Sequence, residues 1–154
     1  MAQAQAMATL AQRPNLEDAR AKLRELFGYA DFRGKQAQVV ERVLAGQPTL
    51  AVMPTGAGKS LTYQLPATML DGTAIVISPL IALMHDQLRT ARANGIRAAT
   101  LTSADTDWRA TQDAFRNGDL DLLYVAPERA SQPGFRNLLE SGRVALFAID
   151  EAHC

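Results

Sequence analysis

An α/β domain, built on a parallel sheet flanked by helices, is the fold this 154-residue chain predicts. Three observations carry the prediction. Five short runs are apolar throughout rather than alternating: "TLAVM" at 49–53, "TAIVI" at 73–77, "AATLT" at 98–102, "LLYVA" at 122–126 and "VALFAI" at 144–149. Unbroken apolar runs suit strands covered on both faces, as in a parallel sheet. Segments of helix length separate the runs, so strand and helix alternate along the chain. The residues best suited to chemistry follow the runs directly, at the carboxyl ends where open parallel sheets bind ligands.

The elements follow in order. Residues 1–14, rich in Ala and Gln, read as a flexible tail, and 15–154 as one continuous domain. Asn15 is a candidate N-cap with Asp18 three residues on. Leu16, Ala19, Leu23, Leu26 and Phe27 recur at helical spacing until Gly28. A second helix is expected from about Lys35 to Ala45, with Val39, Val40, Val43 and Leu44 on one side and Gly46 after it. Beyond the second strand, "LIALMHDQL" places Leu80, Met84 and Leu88 on one helical face. The segment from Asp105 to Asn117 is also of helix length.

Bulk properties exclude several classes. Sixteen basic residues balance sixteen acidic ones, so net charge neither favours nor disfavours a polyanionic partner. A single cysteine, Cys154, cannot form an internal disulfide, which fits a reducing compartment. The longest apolar stretch, "TAIVISPLIALM", is interrupted by Ser78 and Pro79 and falls short of the roughly 18 to 20 residues that span a bilayer. No membrane role is expected, and the location expected is cytoplasmic, beside the nucleoid in a bacterium.

"MPTGAGKS", at 53–60, follows the first run and precedes a helix. A phosphate cradle needs glycines where backbone N–H groups approach an anion, a helix N-terminus, a lysine for the outer phosphates and a hydroxyl for the metal. Thr55, Gly56, Ala57, Gly58, Lys59 and Ser60 supply these, with Lys59 for the β- and γ-phosphates and Ser60 for Mg²⁺. The general P-loop pattern has glycine where this chain has Met53. A carboxylate partner follows the last run in "AIDEAH": Asp150 as the aspartate that holds the metal through water and Glu151 as the acid that orients and deprotonates the attacking water. Together they predict a P-loop nucleotidase.

These motifs, with "FGYADFRGKQ", "SPLIALMHDQ", "LLYVAPER" and "DEAHC" in that order, resemble the RecQ-type DNA helicases of superfamily 2 over roughly Leu23 to Cys154. The resemblance implies a RecA-like P-loop sheet and an ATP-dependent 3′-to-5′ DNA helicase, with ATP and Mg²⁺ as cofactors and single-stranded or partly duplex DNA as partner. In loops of this family the first glycine is often replaced, so Met53 fits. The family assigns "FGYADFRGKQ" to adenine: Gln36 to the base edge, Tyr29 and Arg33 to its faces. By residue type alone, Tyr29 and Phe32 equally suit a core and Gln36 a solvated helix. Gly34 and Lys35 stand where the family commonly has Pro-Gly.

The resemblance further implies that Ser78, Pro79 and Leu80, with Thr102 and Ser103, grip the DNA backbone, and that His153 links nucleotide state to the DNA site. Glu128 and Arg129 in "APER" receive no individual role and suit a structural ion pair equally. His85 reads as a surface residue, and Trp108 as packed or half-exposed rather than base-stacking. The chain reads as truncated after the strand carrying "DEAH". A second motor domain with its arginine finger and a zinc site would then lie outside it. Rival readings are an ATP- and DNA-binding module without turnover, an RNA helicase, and a small-molecule kinase.

Overall fold

The computed structural model describes residues 13–53, 58–79, 81–103 and 105–150. These form two compact units, divided between Leu70 and Asp71.

The first unit is helical: α1 (Leu16–Phe27), α2 (Gln36–Leu44) and α3 (Leu61–Met69). The start of α1 is set as its sequence predicts. The Asn15 side chain accepts the Asp18 N–H at 2.9 Å and the Asp18 carboxylate accepts the Asn15 N–H at 3.0 Å, closing a capping box. Two N–H groups that a helix start leaves orphaned are thereby satisfied. Ala19 and Leu23 of α1, Val40 and Leu44 of α2, and Leu61 and Leu65 of α3 bury into one cluster with Leu16 and Phe27 packed against it, whereas Leu26, Val39 and Val43 of the expected apolar faces are half-buried and do not join it. Seven of the nine residues of α3 are buried, as a helix without a polar face requires.

One expected strand is not formed. Residues 49–53 carry no strand, and Leu50 and Val52 are 85% and 82% exposed. A strand is stabilised by the ladder it makes with a neighbour, and among the described residues this run has no ladder partner.

The second unit contains the sheet: β1 (Thr73–Ile77), β2 (Ala98–Leu101), β3 (Leu122–Val125) and β4 (Val144–Ile149), ordered β2-β3-β1-β4 and parallel at every pairing. Ala74 to Ile77 pair with Leu122 to Val125, and Ala98 to Leu101 with the same four residues from the other side. Between β1 and β4 the register slips after Thr73, which pairs with Val144 while Ala74 pairs with Leu146. Every residue of β2 and β3 is buried, which explains their unbroken apolar sequences.

Helices α4 (Ile81–Ala93), α5 (Trp108–Arg116), α6 (Pro127–Ala130) and α7 (Pro133–Glu140) complete the unit. Ile75, Leu101, Leu123, Val125, Phe115 of α5 and Leu138 of α7 share one core. The helix expected from Asp105 starts three residues later, because 105–107 lie outside it. Helix α7 has no counterpart among the expected elements: Pro133 at its first turn and Gly134 beside it look like loop residues, yet Pro is well suited to a helix start.

Candidate nucleotide and nucleic-acid site

In the first unit the candidate adenine residues lie between α1 and α2, and the chain folds back on itself there through Gln36. Its Oε1 accepts the Arg33 N–H at 2.8 Å and its Nε2 donates to the Gly58 carbonyl at 3.2 Å. Gln36 is only 5% exposed, so these bonds are made where water does not compete freely. A primary amide has two donor hydrogens and two acceptor sites. Gln36 therefore ties the candidate adenine segment to Gly58 of the candidate phosphate loop rather than standing as a solvated helix residue.

Tyr29 is half exposed and stacks on Phe27, with centroids 6.4 Å apart and planes 10° apart. Its ring thus has an aromatic support. Arg33 is exposed. Gly58 has φ +73°, a conformation that L side chains rarely adopt, and a Cβ there would sit 2.3 Å from Gln36 Nε2. Lys59 and Ser60, both half-buried, lead into α3, with the Thr62 N–H bonded to the Lys59 carbonyl and the Gln64 N–H to that of Ser60. Thr55, Gly56 and Ala57 lie outside the described residues. A groove of about 450 Å³ in this unit is lined by Lys35, Arg42 and Leu50 among others and, among the described residues, takes in none of the nucleotide candidates.

In the second unit the four strand ends form one row. The Ala126 N–H bonds to the Leu101 carbonyl (3.0 Å), the Ser78 N–H to that of Val125 (3.2 Å) and the Asp150 N–H to that of Ile77 (2.9 Å). The ladder thus continues one residue beyond β3, β1 and β4. It sets the beginnings of "TS", "APER", "SPL" and "DEAH" side by side in that order. Asp150, the candidate metal carboxylate, follows the strand directly beside the one that precedes Ser78, a candidate DNA residue.

Ser78 and Thr102 are buried, while Pro79 and Ser103 are exposed. Asp105, which the sequence suggests only as a helix start, accepts the Thr102 N–H at 2.7 Å and the Thr100 hydroxyl at 3.1 Å. The available signal is an aspartate three residues after a strand-end threonine, a spacing that favours side chain to backbone bonding. Arg129 reaches Gln132 at 3.5 Å. Trp108 is 37% exposed, with the Arg109 guanidinium 4.9 Å from its ring centroid, and His85 is on the surface as expected. Leu80, Glu151 and His153 lie outside the described residues. Among those residues no three His, Cys, Asp or Glu converge to hold a metal ion, and no helix is long and apolar enough to cross a membrane.

Comparison with known proteins places these features in context. Residues 33–154 match the family model described as DEAD/DEAH box helicase. The chain is 47% identical over 134 residues to the ATP-dependent DNA helicase RecQ of Haemophilus influenzae, covering 86% of this chain and 22% of that protein. It is 42% identical over 142 residues to the protein of the same name from Bacillus subtilis, covering 90% and 24%. It is also 42% identical over 142 residues to the RecQ-like DNA helicase blm-1 of Caenorhabditis elegans, covering 86% and 14%. The chain thus spans about a quarter or less of the length of these relatives.

Proposed function

Because the chain belongs to the DEAD/DEAH box helicases, on their RecQ-type branch, we propose that it forms the ATP-binding and DNA-gripping part of a motor. That motor couples hydrolysis of Mg·ATP to 3′-to-5′ movement on DNA. The observation that carries the reading is the row of strand ends, in which Asp150 and Ser78 follow hydrogen-bonded neighbours. A change at the metal carboxylate is then one strand away from a residue on the DNA.

In this reading Gly58 and Lys59, with the start of α3, receive the phosphates. The Ser60 hydroxyl and the Asp150 carboxylate are hard oxygen donors of the kind Mg²⁺ selects, and such sites commonly use one or two protein ligands plus phosphates and water. The ion would neutralise charge between the outer phosphates. Glu151 positions and deprotonates the attacking water, and His153 relays nucleotide state to the DNA side. Gln36 recognises the adenine edge while holding Gly58, and Tyr29 and Arg33 flank the base. Pro79, Leu80 and Ser103, with the backbone around Ser78, hold DNA phosphates, which suits a motor indifferent to sequence.

The test is binding of a fluorescent ATP analogue with Mg²⁺, and of a labelled oligonucleotide, by the 154-residue chain and its Lys59→Ala variant. Loss of at least about tenfold in nucleotide affinity is expected on removing a charged phosphate contact. Unchanged nucleotide affinity in Lys59→Ala would sink the loop assignment. The 22% coverage of the Haemophilus influenzae relative favours a second reading for these 154 residues taken alone, binding of ATP and DNA without turnover. Multiple turnover by the chain alone would contradict that reading.

A further inference from the structure

Asp105 belongs to no motif identified above, yet it organises the end of β2. Its Oδ2 accepts two hydrogen bonds, from the Thr102 N–H at 2.7 Å and from the Thr100 hydroxyl at 3.1 Å, and its own N–H donates to the Thr102 carbonyl at 3.2 Å. Thr100 and Thr102 are both buried, and the carboxylate is partly buried between them. A tie of three bonds between Thr100, Thr102 and Asp105 converts a strand end into a fixed turn. Its charged acceptor makes the bonds stronger than those of a neutral one.

Two consequences follow. Among the described residues β2 has a strand neighbour on one side only, β3, so the chain beyond Leu101 gains little from the ladder and needs another anchor. Asp105 is that anchor. Its carboxylate also occupies the Thr102 N–H and places a like charge beside it, so a phosphate has no access to that donor. The neighbouring Ser103 is exposed. We infer that Asp105 is a positioning residue for nucleic-acid binding: it shapes the turn so that Ser103, and not Thr102, meets a backbone phosphate of single-stranded DNA. The inference rests on the DNA reading given above and assigns the contact within it.

Asp105 plays two opposed parts here, as an acceptor that builds the turn and as a charge that repels phosphate. Substitutions separate them. Asp105→Asn keeps an oxygen able to accept both bonds and removes the charge, whereas Asp105→Ala removes both. The assay is fluorescence anisotropy of labelled oligo(dT) at low salt with the 154-residue chain, each variant being checked by circular dichroism and thermal melting. Asp105→Ala and Ser103→Ala are each expected to weaken binding about fivefold or more. Asp105→Asn is expected to bind as tightly as the original chain or up to about threefold tighter.

Equal affinities for Asp105→Ala and the original chain would overturn the proposal. So would tightening by both Asp105 variants, the signature of a charge with no positioning part. Should Asp105→Ala fail to fold, amide resonances of the unaltered chain decide the matter. On adding oligo(dT), the Ser103 N–H should shift while the Thr102 N–H keeps its protection from exchange, and the reverse pattern refutes the assignment. If the unaltered chain binds no oligonucleotide at all, the DNA reading itself falls and takes this inference with it.

Discussion

Gly58→Ala isolates the link between the candidate adenine segment and the candidate phosphate loop. Gly58 has φ +73°, where an L residue costs about 1 kcal/mol or somewhat more, and the new Cβ would stand 2.3 Å from Gln36 Nε2. Nε2 is the end of a rotatable side chain and can swing away, but only by giving up its bond to the Gly58 carbonyl inside a buried site. One such bond contributes about 1 kcal/mol. The expected loss of stability is therefore about 2 kcal/mol.

Gly28→Ala is the matched control, since Gly28 has φ +72° and open space where the added methyl would stand. It should cost about 1 kcal/mol, from backbone strain alone. Urea unfolding followed by circular dichroism compares the two variants, and adding Gln36→Ala to Gly58→Ala should remove the steric part of the penalty. The same Gly58 variant should weaken ATP-analogue binding. Equal destabilisation by Gly58→Ala and Gly28→Ala would show that the Gln36 contact contributes nothing, and the argument for a coupled adenine segment and loop would fail.

Asn15→Ala should cost about 1 kcal/mol by removing one half of the capping box, measured by urea unfolding, and Asn15→Ser should retain most of it. Phe115→Ala empties a fully buried ring position in the core shared by β1, β2 and β3, and should cost about 3–5 kcal/mol by the same measurement. The Asp31 carboxyl is held below its ordinary value of 3.8 by the Phe32 N–H first and the Arg20 guanidinium second. Because the folded value is the lower one, the contact is fully present above about pH 4 and is lost as pH falls through the depressed value. NMR titration of the Asp31 carboxyl should show a midpoint below that of a peptide aspartate, and Arg20→Gln should move it upward.

Local chemistry is legible from the chain alone. Asn15 and Asp18 are the right residues at the right separation, and nothing distant is needed for their two bonds. The runs at 73–77, 98–102, 122–126 and 144–149 read as strands because they are apolar without interruption, and all four form, the second and third one residue shorter than the run. The run at 49–53 has the same apolar character yet carries no strand, since strand formation depends on a partner that composition does not specify. Residue type likewise leaves Gln36 open between solvent and adenine. Its burial against Gly58, 22 residues away, comes from folding.

By itself, then, the sequence determined the periodicities, the helix start at Asn15, the phosphate-loop and carboxylate motifs, and their placement after apolar runs. These depend on side-chain chemistry and on neighbours a few residues away. Only the tertiary structure decided that β3 lies between β2 and β1, that Asp150 follows the strand beside the one preceding Ser78, and that Asp105 takes the Thr102 N–H. Strand order joins segments tens of residues apart, and each join is chosen by which partners bury the most apolar surface while pairing every backbone group. No single stretch of the chain contains that comparison.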